Sequence, residues 1–508
     1  MRLFKLLFSR IFVVALLLLL QIGGMALLAL WFLDIAVLFQ VVSLVIGIGV
    51  VFSMLARKET PEFKLPWLFL MLALPPFGVL LYLLFAHPRL SRRKSRTLRA
   101  QREEERALLA PSEEERERIA EAPSVPAGLE TYLQKTSHTY GTTGNRVSYF
   151  PSGEEFFRDL CEHLRGARRF ILMEYFIIEE GEMWSTLKGI LTEKAKEGVS
   201  VRLLYDDIGS AGKIPLSTCR RLREVGIECY RVNPFRPVLS GIYNNRDHRK
   251  ITVIDGTVGY TGGVNVGDDY INKTKRLGHW KDTAIRIEGP AVRNLTALFL
   301  QLFDLTARKK TERSAFLDPL PPAFEDGGWV HPFGAGPRPV YGERVGEGVL
   351  LHLIQAAEKS LRITTPYLIP DYTLTSALRD AALRGVRVEI LTPHVPDKRV
   401  IFALTRSNYR PLLEAGVHIA EYAPGFLHAK TLVADERVAL VSTVNFDYRS
   451  LVHHFECGAL FAGCAAVGRV VADFDRTRAL SLELPPDYRP SLATRITGTL
   501  LSLFTPLL

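Results

Sequence analysis

The chain has 508 residues, which is too long for one compact domain and enough for two or three. Lys and Arg number 64 against 54 Asp and Glu, so the formal net charge is +10. A basic chain suits a partner that carries phosphate, either nucleic acid or anionic lipid, and charge alone does not choose between them. Hydrophobic residues make up 47% of the chain and form long runs before residue 87, which favours lipid.

Residues 1–89 are predicted to form a membrane anchor of two to three transmembrane segments, at about 11–33, 35–55 and 67–86. Each run reaches the roughly 20 apolar residues that a helix needs to cross the hydrocarbon core. Basic residues flank the runs in a pattern that excludes three full spans with every basic group in the cytosol. Either one segment is re-entrant, with Pro75-Pro76 marking the third run, or the N-terminus lies outside. Both topologies predict a multi-pass protein of the cell membrane, with the rest of the chain in the cytosol.

Residues 90–128 form a charged juxtamembrane linker that is basic at its start and rich in Glu after it. This composition is typical of a solvated helical linker. The basic start also suits contact with anionic headgroups, at roughly 1 kcal/mol for each basic residue near the surface. The two interpretations are compatible.

The five cysteines lack the spacing of a metal or redox motif. They form no C-x-x-C pair, and none lies near a His at zinc-finger spacing. We therefore predict free thiols, no disulfides and no structural metal.

From about residue 129, short β-branched runs alternate with amphipathic helical stretches. A strand–helix–strand pattern over 170–205 recurs over 361–392, and each copy is typical of a parallel βαβ unit. The predicted fold class is α/β, with two similar domains at 129–335 and 336–490 in a pseudo-twofold arrangement after the transmembrane anchor. The apolar segment 491–508 is either a core helix or an interfacial helix on the membrane.

A motif H-x-K-x-x-x-x-D occurs once in each predicted domain. Its members are His248, Lys250 and Asp255 in the first domain and His428, Lys430 and Asp435 in the second. Asn265 and Asn445 each follow their histidine by 17 residues. Because strand side chains alternate, His and Lys of one motif share a face. Two copies at matching places in a repeat argue against chance, and the six motif residues are the candidate catalytic residues.

These residue types suit chemistry at phosphorus. A neutral imidazole can attack phosphorus and hold it as a phosphohistidine, and a second, protonated imidazole can give its proton to the leaving oxygen. Two lysines neutralise the non-bridging oxygens, and the Asn side chains add donors for phosphate binding. This chemistry needs neither a metal ion nor a cofactor, so we predict none. Asp255 and Asp435 stand at strand ends, before turns, and are expected to bind backbone.

The chain resembles the phospholipase D superfamily and, within it, the bacterial cardiolipin synthases. Beyond the two motifs, the resemblance rests on blocks at 173–177, 279–290, 365–371 and 445–456. It implies transfer of a phosphatidyl group between two phosphatidylglycerol molecules, giving cardiolipin and glycerol through a phosphohistidine. It also implies that one histidine is the nucleophile and the other the general acid, assigned here to His248 and His428.

The same resemblance places a supporting carboxylate against each histidine, at Asp282 for the first copy and Glu456 for the second. Two departures from the family's pattern bear on substrate fit more than on activity. Ser442-Thr443 stands where the family usually has Gly-Thr or Gly-Ser, and His454-Phe455-Glu456 stands where it usually has Asn-Phe-Glu.

Two further pairs of residues have open roles. Tyr175 and Tyr367 either line the mouth of the site or pack as strand aromatics. Asp206 and Asp207 end a strand, either as a cap or at the ligand-facing edge of the sheet.

Two rival functions are a phosphodiesterase of the same superfamily that acts on nucleic acid and a catalytically inactive membrane scaffold. The membrane segments and the flanking blocks argue against the first, and intact His and Lys in both motifs argue against the second. The predicted partners are phosphatidylglycerol and anionic membrane lipid, and no nucleic acid. The sequence leaves open the acceptor, which can be phosphatidylglycerol, phosphatidylethanolamine or a free alcohol, and the oligomeric state.

Overall fold

The structure is a computed structural model that describes residues 16, 19–25, 27, 33–57, 61–74, 77–86, 91–121, 128–234, 244–318, 320–325 and 327–502. The chain divides into two compact units. The first comprises residues 1–89, 235–244 and 499–508, and the second comprises residues 90–234 and 245–498. Most of the predicted segment 11–33 and both residues of Pro75-Pro76 lie outside the described residues.

The first unit contains apolar helices. They are α1 (Leu33–Leu55), α2 (Pro61–Ala73) and α3 (Phe77–Phe85). The rings of Trp67 and Tyr82 meet edge to face, with centroids 5.6 Å apart, and join α2 to α3. Across the part of the chain that the structure describes, no helix combines the length and the apolarity needed to span a membrane. The transmembrane anchor stays a prediction.

The second unit contains the remaining helices and all described strands. The strands are β1 (Thr142–Phe150), β2 (Phe170–Tyr175), β3 (Ser200–Asp206), β4 (Glu228–Val232), β5 (Ile251–Ile254), β6 (Val258–Gly262), β7 (His279–Lys281), β8 (Ala284–Glu288), β9 (Gly328–Ala335), β10 (Ser360–Thr364), β11 (Arg387–Pro393), β12 (His418–Tyr422), β13 (Gly425–Leu427), β14 (Thr431–Ala434), β15 (Val438–Ser442), β16 (Glu456–Ala462) and β17 (Ser481–Glu483). The helices are α4 (Arg92–Leu109), α5 (Glu113–Ala120), α6 (Leu129–Thr136), α7 (Gly153–Gly166), α8 (Glu182–Lys196), α9 (Thr218–Glu224), α10 (Val292–Ala307), α11 (Ser314–Leu317), α12 (Val345–Ala356), α13 (Tyr372–Leu383), α14 (Arg399–Ser407), α15 (Tyr409–Leu413), α16 (Ala465–Ala479) and α17 (Leu492–Ser502), the last ending beyond the unit's boundary.

Within the described residues, fifteen strands form one sheet whose two halves meet at the antiparallel pair β1–β9. Outward from this pair, one side runs β8-β6-β5-β2-β3-β4 and the other runs β16-β15-β14-β10-β11-β12, followed by β17. The two sides therefore match strand for strand through β4 and β12. The predicted βαβ units are confirmed, because β2–α8–β3 and β10–α13–β11 each join parallel neighbours.

The hydrophobic core runs through both halves of the sheet. Helix α10 lies against strands of both halves, and its side chains Leu295, Leu298 and Phe299 are fully buried. All four residues of β5 and all four of β14 are buried as well. A strand covered on both faces reads as a continuous apolar run, which is how both motif strands read.

The linker helix α4 packs onto the second unit instead of being fully solvated. Its buried residues recur every three or four positions and so form one face. On this face Arg102 donates to Val340 O at 2.6 Å and its guanidinium lies 3.8 Å from the centre of the Tyr341 ring. Glu105 accepts from Arg313 Nε at 2.7 Å, and burial raises the pKa of Glu105 to about 7. The buried face includes the charged residues Arg102 and Glu105, so the composition of the helix does not reveal that this face is buried.

Candidate active site

Both motif histidines lie just before a buried central strand, β5 or β14. His248 and His428 are only 6% and 8% exposed, and the lysines Lys250 and Lys430 are 2% exposed. Each strand begins after the lysine, so His and Lys belong to the extended segment that enters the strand. Each ammonium donates to the carbonyl oxygen of its own histidine, at 2.7 Å for Lys250. Each lysine side chain thus folds toward the backbone of the histidine two residues before it.

The two halves exchange backbone hydrogen bonds at the histidines. His248 N donates to Phe455 O at 2.9 Å, and Phe455 N donates to Arg246 O at 2.8 Å. On the other side β7 and β13 run parallel, and His428 N donates to Lys281 O at 2.7 Å. Each histidine segment therefore lies beside a segment of the opposite half.

This pairing crosses the supporting carboxylates between the halves. His248 Nδ1 lies 3.0 and 2.9 Å from the two carboxylate oxygens of Glu456, and His428 Nδ1 lies 2.6 Å from Asp282 Oδ2. The expectation that Asp282 supports the first copy and Glu456 the second was therefore wrong. The physical reason is the backbone pairing: Glu456 directly follows Phe455 and Asp282 directly follows Lys281, and both Phe455 and Lys281 bond to the backbone of the opposite half.

The electrostatics of the pairs favour neutral rings beside ionised carboxylates. Burial lowers the pKa of His248 and of His428 to about 4. Burial opposes ionisation of Glu456 and Asp282, but the attraction of His248 and His428 respectively outweighs it and lowers both carboxyl pKa values. Since each carboxylate accepts the Nδ1 proton, the lone pair of each neutral ring is on Nε2.

The two lysines are held in the same dry environment. Burial lowers the pKa of Lys430 to about 7 and also lowers the pKa of Lys250. An anionic ligand placed beside them reverses part of this cost, because it offsets the desolvation of the ammonium groups. The buried lysines are therefore suited to bind a phosphate.

Comparisons with known proteins identify the family of the chain. The family model described as cardiolipin synthase, phospholipase D-like domain matches residues 160–301 and 350–478, more than half of the chain. The chain belongs to the cardiolipin synthase family. A second model, described as phospholipase D-nuclease N-terminal, matches residues 32–86.

Several relatives that align with most of this chain are named as cardiolipin synthases. The cardiolipin synthase of a Geobacillus species is 35% identical and is aligned over 91% of this chain and 92% of its own. Cardiolipin synthase 2 of Bacillus cereus is 34% identical over 89% of this chain and 88% of its own. The crystal structure of phosphatidylserine synthase from Haemophilus influenzae superposes with a TM-score of 0.56 at 17% identity, over 75% of this chain and 97% of its own, and shows the fold alone.

The two asparagines of the cardiolipin synthase motifs have different surroundings. Asn265 accepts from Ile177 N at 3.1 Å and donates to the Tyr270 hydroxyl at 2.8 Å. Asn445 is 6% exposed, and its Oδ1 has no hydrogen-bond partner among the residues that the structure describes. Asn265 is therefore held within the first half, whereas the Asn445 oxygen has no such partner among the described residues.

The last motif residues, Asp255 and Asp435, lie away from the histidines. Each stands at the far end of a four-residue strand, roughly 20 Å along the chain from its histidine at about 3.3 Å per residue. Asp255 accepts from the backbone N–H groups of residues 168–170, and Asp435 from those of residues 358–360. Both therefore fasten a turn, as expected for strand-end residues, and the prediction that they belong to the catalytic set was wrong.

The residues with open roles are mostly structural. Tyr175 is buried and its hydroxyl lies 2.9 Å from Thr252 Oγ1, whereas Tyr367 donates to Asp397 at 2.7 Å. Asp206 accepts from Arg246 and from the N–H groups of residues 208, 209 and 247, so it anchors the segment that leads into His248. Asp207 pairs with Arg231 at 2.9 Å.

The residue at position 443 supports a carboxylate. Thr443 Oγ1 donates to Glu456, the partner of His248, and Thr443 is the part of the Ser442-Thr443 pair that matches the family's usual Gly-Thr. At the matching place in the first half, a Cβ on Gly263 would overlap Asp282 Oδ1. One half thus needs a glycine where the other uses a threonine.

Sequence reasoning missed a buried ion cluster beside the first motif. Arg249, inside the motif and 1% exposed, donates to Glu174 at 2.6 Å and lies 3.5 Å from Asp247. The matching residue of the second motif, Ala429, carries no charge. The available signal was an arginine between His248 and Lys250 at the position where the second motif has an alanine.

Proposed function

We propose that the chain is a cardiolipin synthase, which transfers a phosphatidyl group from one phosphatidylglycerol molecule to another. The observation that carries this proposal is the pair of buried His–carboxylate contacts, crossed between halves and accompanied by two buried lysines. Such a site provides a nucleophile, a proton carrier and positive charge around one phosphate. The relatives named as cardiolipin synthases, aligned over nearly the whole chain, supply the substrate class.

The first half-reaction forms the phospho-enzyme. His248 Nε2 attacks the phosphorus of phosphatidylglycerol, a P–N bond forms, and the P–O bond to the headgroup glycerol breaks. His428 gives its Nε2 proton to the departing oxygen, and glycerol leaves. Both rings are neutral in the free site, so His428 must first gain a proton, which the negative charge of the bound phosphodiester favours.

The second half-reaction completes the transfer. His428, now neutral, takes the proton from a headgroup hydroxyl of the second phosphatidylglycerol. That oxygen attacks phosphorus, the P–N bond breaks, and cardiolipin forms with His248 restored. Lys250 and Lys430 hold the non-bridging oxygens through both steps, and Glu456 and Asp282 stabilise the imidazolium that forms on each ring.

Membrane attachment, with the catalytic unit in the cytosol, is part of the proposal. In the described part of the chain, most large apolar side chains that are exposed lie before residue 90. Helix α17 adds a second apolar surface, since Leu492, Ile496 and Leu500 are exposed at four-residue spacing and so share one face. A face of this kind suits an interfacial helix, and both features support a membrane-bound enzyme that acts on lipid.

The test uses the full-length protein in phosphatidylglycerol vesicles. We expect cardiolipin and free glycerol in equal amounts, and loss of both products in His248→Ala and His428→Ala. His418→Ala is the matched control, because His418 is half-exposed and lies outside the site. Cleavage of nucleic acid without lipid turnover would support a phosphodiesterase instead, and absence of any turnover would support a scaffold.

A further inference from the structure

A third histidine lies beside the catalytic pair on one side only. His454 is 8% exposed, and its ring centroid lies 5.4 Å from that of His248. Its Nδ1 is 3.5 Å from Glu456 Oε1, yet neither ring nitrogen makes a hydrogen bond within the described part of the chain. A buried polar group without a partner costs about 1–3 kcal/mol, so this ring lacks a ligand that would satisfy it.

The unpartnered ring belongs to a set of metal-ligating groups. One ligand atom from each of His248, His454 and Glu456 lies within 4.8 Å of the others. Neither ring nitrogen of His454 is engaged by a described residue, so a neutral ring there has a lone pair to offer. Two neutral imidazoles and one carboxylate are a ligand set that Zn²⁺ uses, with a water in the fourth position.

We propose that His248, His454 and Glu456 bind one divalent transition-metal ion of the Zn²⁺ type, and that this ion inhibits phosphatidyl transfer. Zinc–nitrogen and zinc–oxygen bonds of about 2.0–2.2 Å require the ligand atoms to close by about an ångström from their present spacing. The side chains already converge, so rotation about their terminal torsions provides this movement. The inhibitory part of the proposal depends on the proposed function, whereas metal binding does not.

The other half of the site provides an internal comparison. Trp280 stands two residues before Asp282, as His454 stands two residues before Glu456, and its ring is also 5.4 Å from that of the adjacent histidine, His428. An indole N–H is a donor only and cannot ligate a metal. The matching position in the other half therefore lacks a ligand, and we expect one ion per chain.

Inhibition follows from the position of Glu456. A cation bound to this carboxylate competes with the His248 proton that the carboxylate otherwise accepts. His248 faces Glu456 with Nδ1, so an ion shared with this carboxylate binds Nδ1 in place of the proton there. The neutral ring then carries its proton on Nε2, which has no lone pair left to attack phosphorus while the metal is bound.

The experiment measures metal content and inhibition separately on the full chain in detergent, without a histidine tag. Protein stripped with a chelator is dialysed against buffered Zn²⁺, and bound zinc is counted by mass spectrometry. The variants are His454→Asn and His454→Gln, and the control is His418→Asn. Loss of an outer-shell partner costs about 10–100-fold in metal affinity, so loss of a direct ligand should raise the zinc Kd at least tenfold.

We expect one zinc per chain in the wild type and in His418→Asn, and much less in both His454 variants at the same free zinc. We also expect zinc to lower the wild-type rate at least tenfold more than it lowers the rate of the His454 variants. Equal zinc content in wild type and both variants, or none in the wild type, would overturn the proposal. Zinc bound through His454 in a protein that makes no cardiolipin would overturn the proposed function and leave the metal site standing.

Discussion

Glu456→Gln tests the crossed pairing most directly. The substitution keeps the shape of the side chain and removes the negative charge from a residue that is fully buried. Both carboxylate oxygens lie within 3.0 Å of His248 Nδ1, so the change acts on the histidine of the opposite half. We expect slower formation of the phospho-enzyme and a lower kcat.

The magnitude follows from the buried contact. A hydrogen bond to a charged group is worth about 1.5–3 kcal/mol, which corresponds to about 10–150-fold in rate. In serine proteases, replacing the carboxylate that orients a catalytic histidine by an amide costs about 10⁴-fold, because the ring takes the wrong tautomer. We therefore expect kcat to fall by a factor of between about 10 and about 10⁴.

Two measurements check this prediction. The rate of cardiolipin formation is compared with that of Glu389→Gln, whose carboxylate is also buried but pairs with Arg387 and Arg478 away from the histidines. Double-mutant cycles on the free energy of unfolding then ask which histidine couples to Glu456. A kcat within tenfold of wild type, or stronger coupling to His428 than to His248, would refute the crossed arrangement.

Three further predictions concern support and stability. Asp255→Ala removes the acceptor of three backbone N–H groups, so we expect a loss of about 2 kcal/mol or more in unfolding free energy with kcat per folded molecule retained; a kcat loss at unchanged stability would contradict this. Gly263→Ala should displace Asp282 and lower kcat at least about tenfold, whereas Gly189→Ala, with open space around the added Cβ, should leave it unchanged. Burial lowers the pKa of His454 from 6.5 to about 4. Between pH 7 and pH 5 the imidazole is therefore protonated mainly in the unfolded chain, which favours unfolding. Over that range the wild type should lose about 2 kcal/mol more unfolding free energy than His454→Asn. Equal pH dependence in urea unfolding of the two proteins would count against the buried, neutral ring.

The sequence predicted the parts of the site that depend on local pattern. The two motifs identified both histidines and both lysines, and the repeated strand–helix–strand pattern predicted the parallel units that hold them. The role of Asp255 as a turn residue was also readable, because it ends a strand before a turn. Each of these depends on residues close together in the chain.

The sequence did not predict what depends on contacts between distant segments. Which carboxylate faces which histidine is decided by backbone pairing between the segments around His248 and Phe455 and between those around Lys281 and His428, about 150–200 residues apart. The proximity of His454 to His248 has the same origin. The packed face of α4 was detectable in principle from the spacing of Leu98, Arg102 and Glu105, but its charge concealed it.

Because the carboxylates are crossed, each half of the chain supplies a residue that the histidine of the other half needs. A histidine encoded in one half is tuned by an acid encoded in the other, so neither half can lose function and leave its twin intact. Sequence change in the two halves is therefore coupled. A substitution at Glu456 affects the function of His248, and a substitution at Asp282 affects the function of His428. Neither half contains both a motif histidine and the carboxylate that contacts it, so neither half alone has a complete His–carboxylate pair.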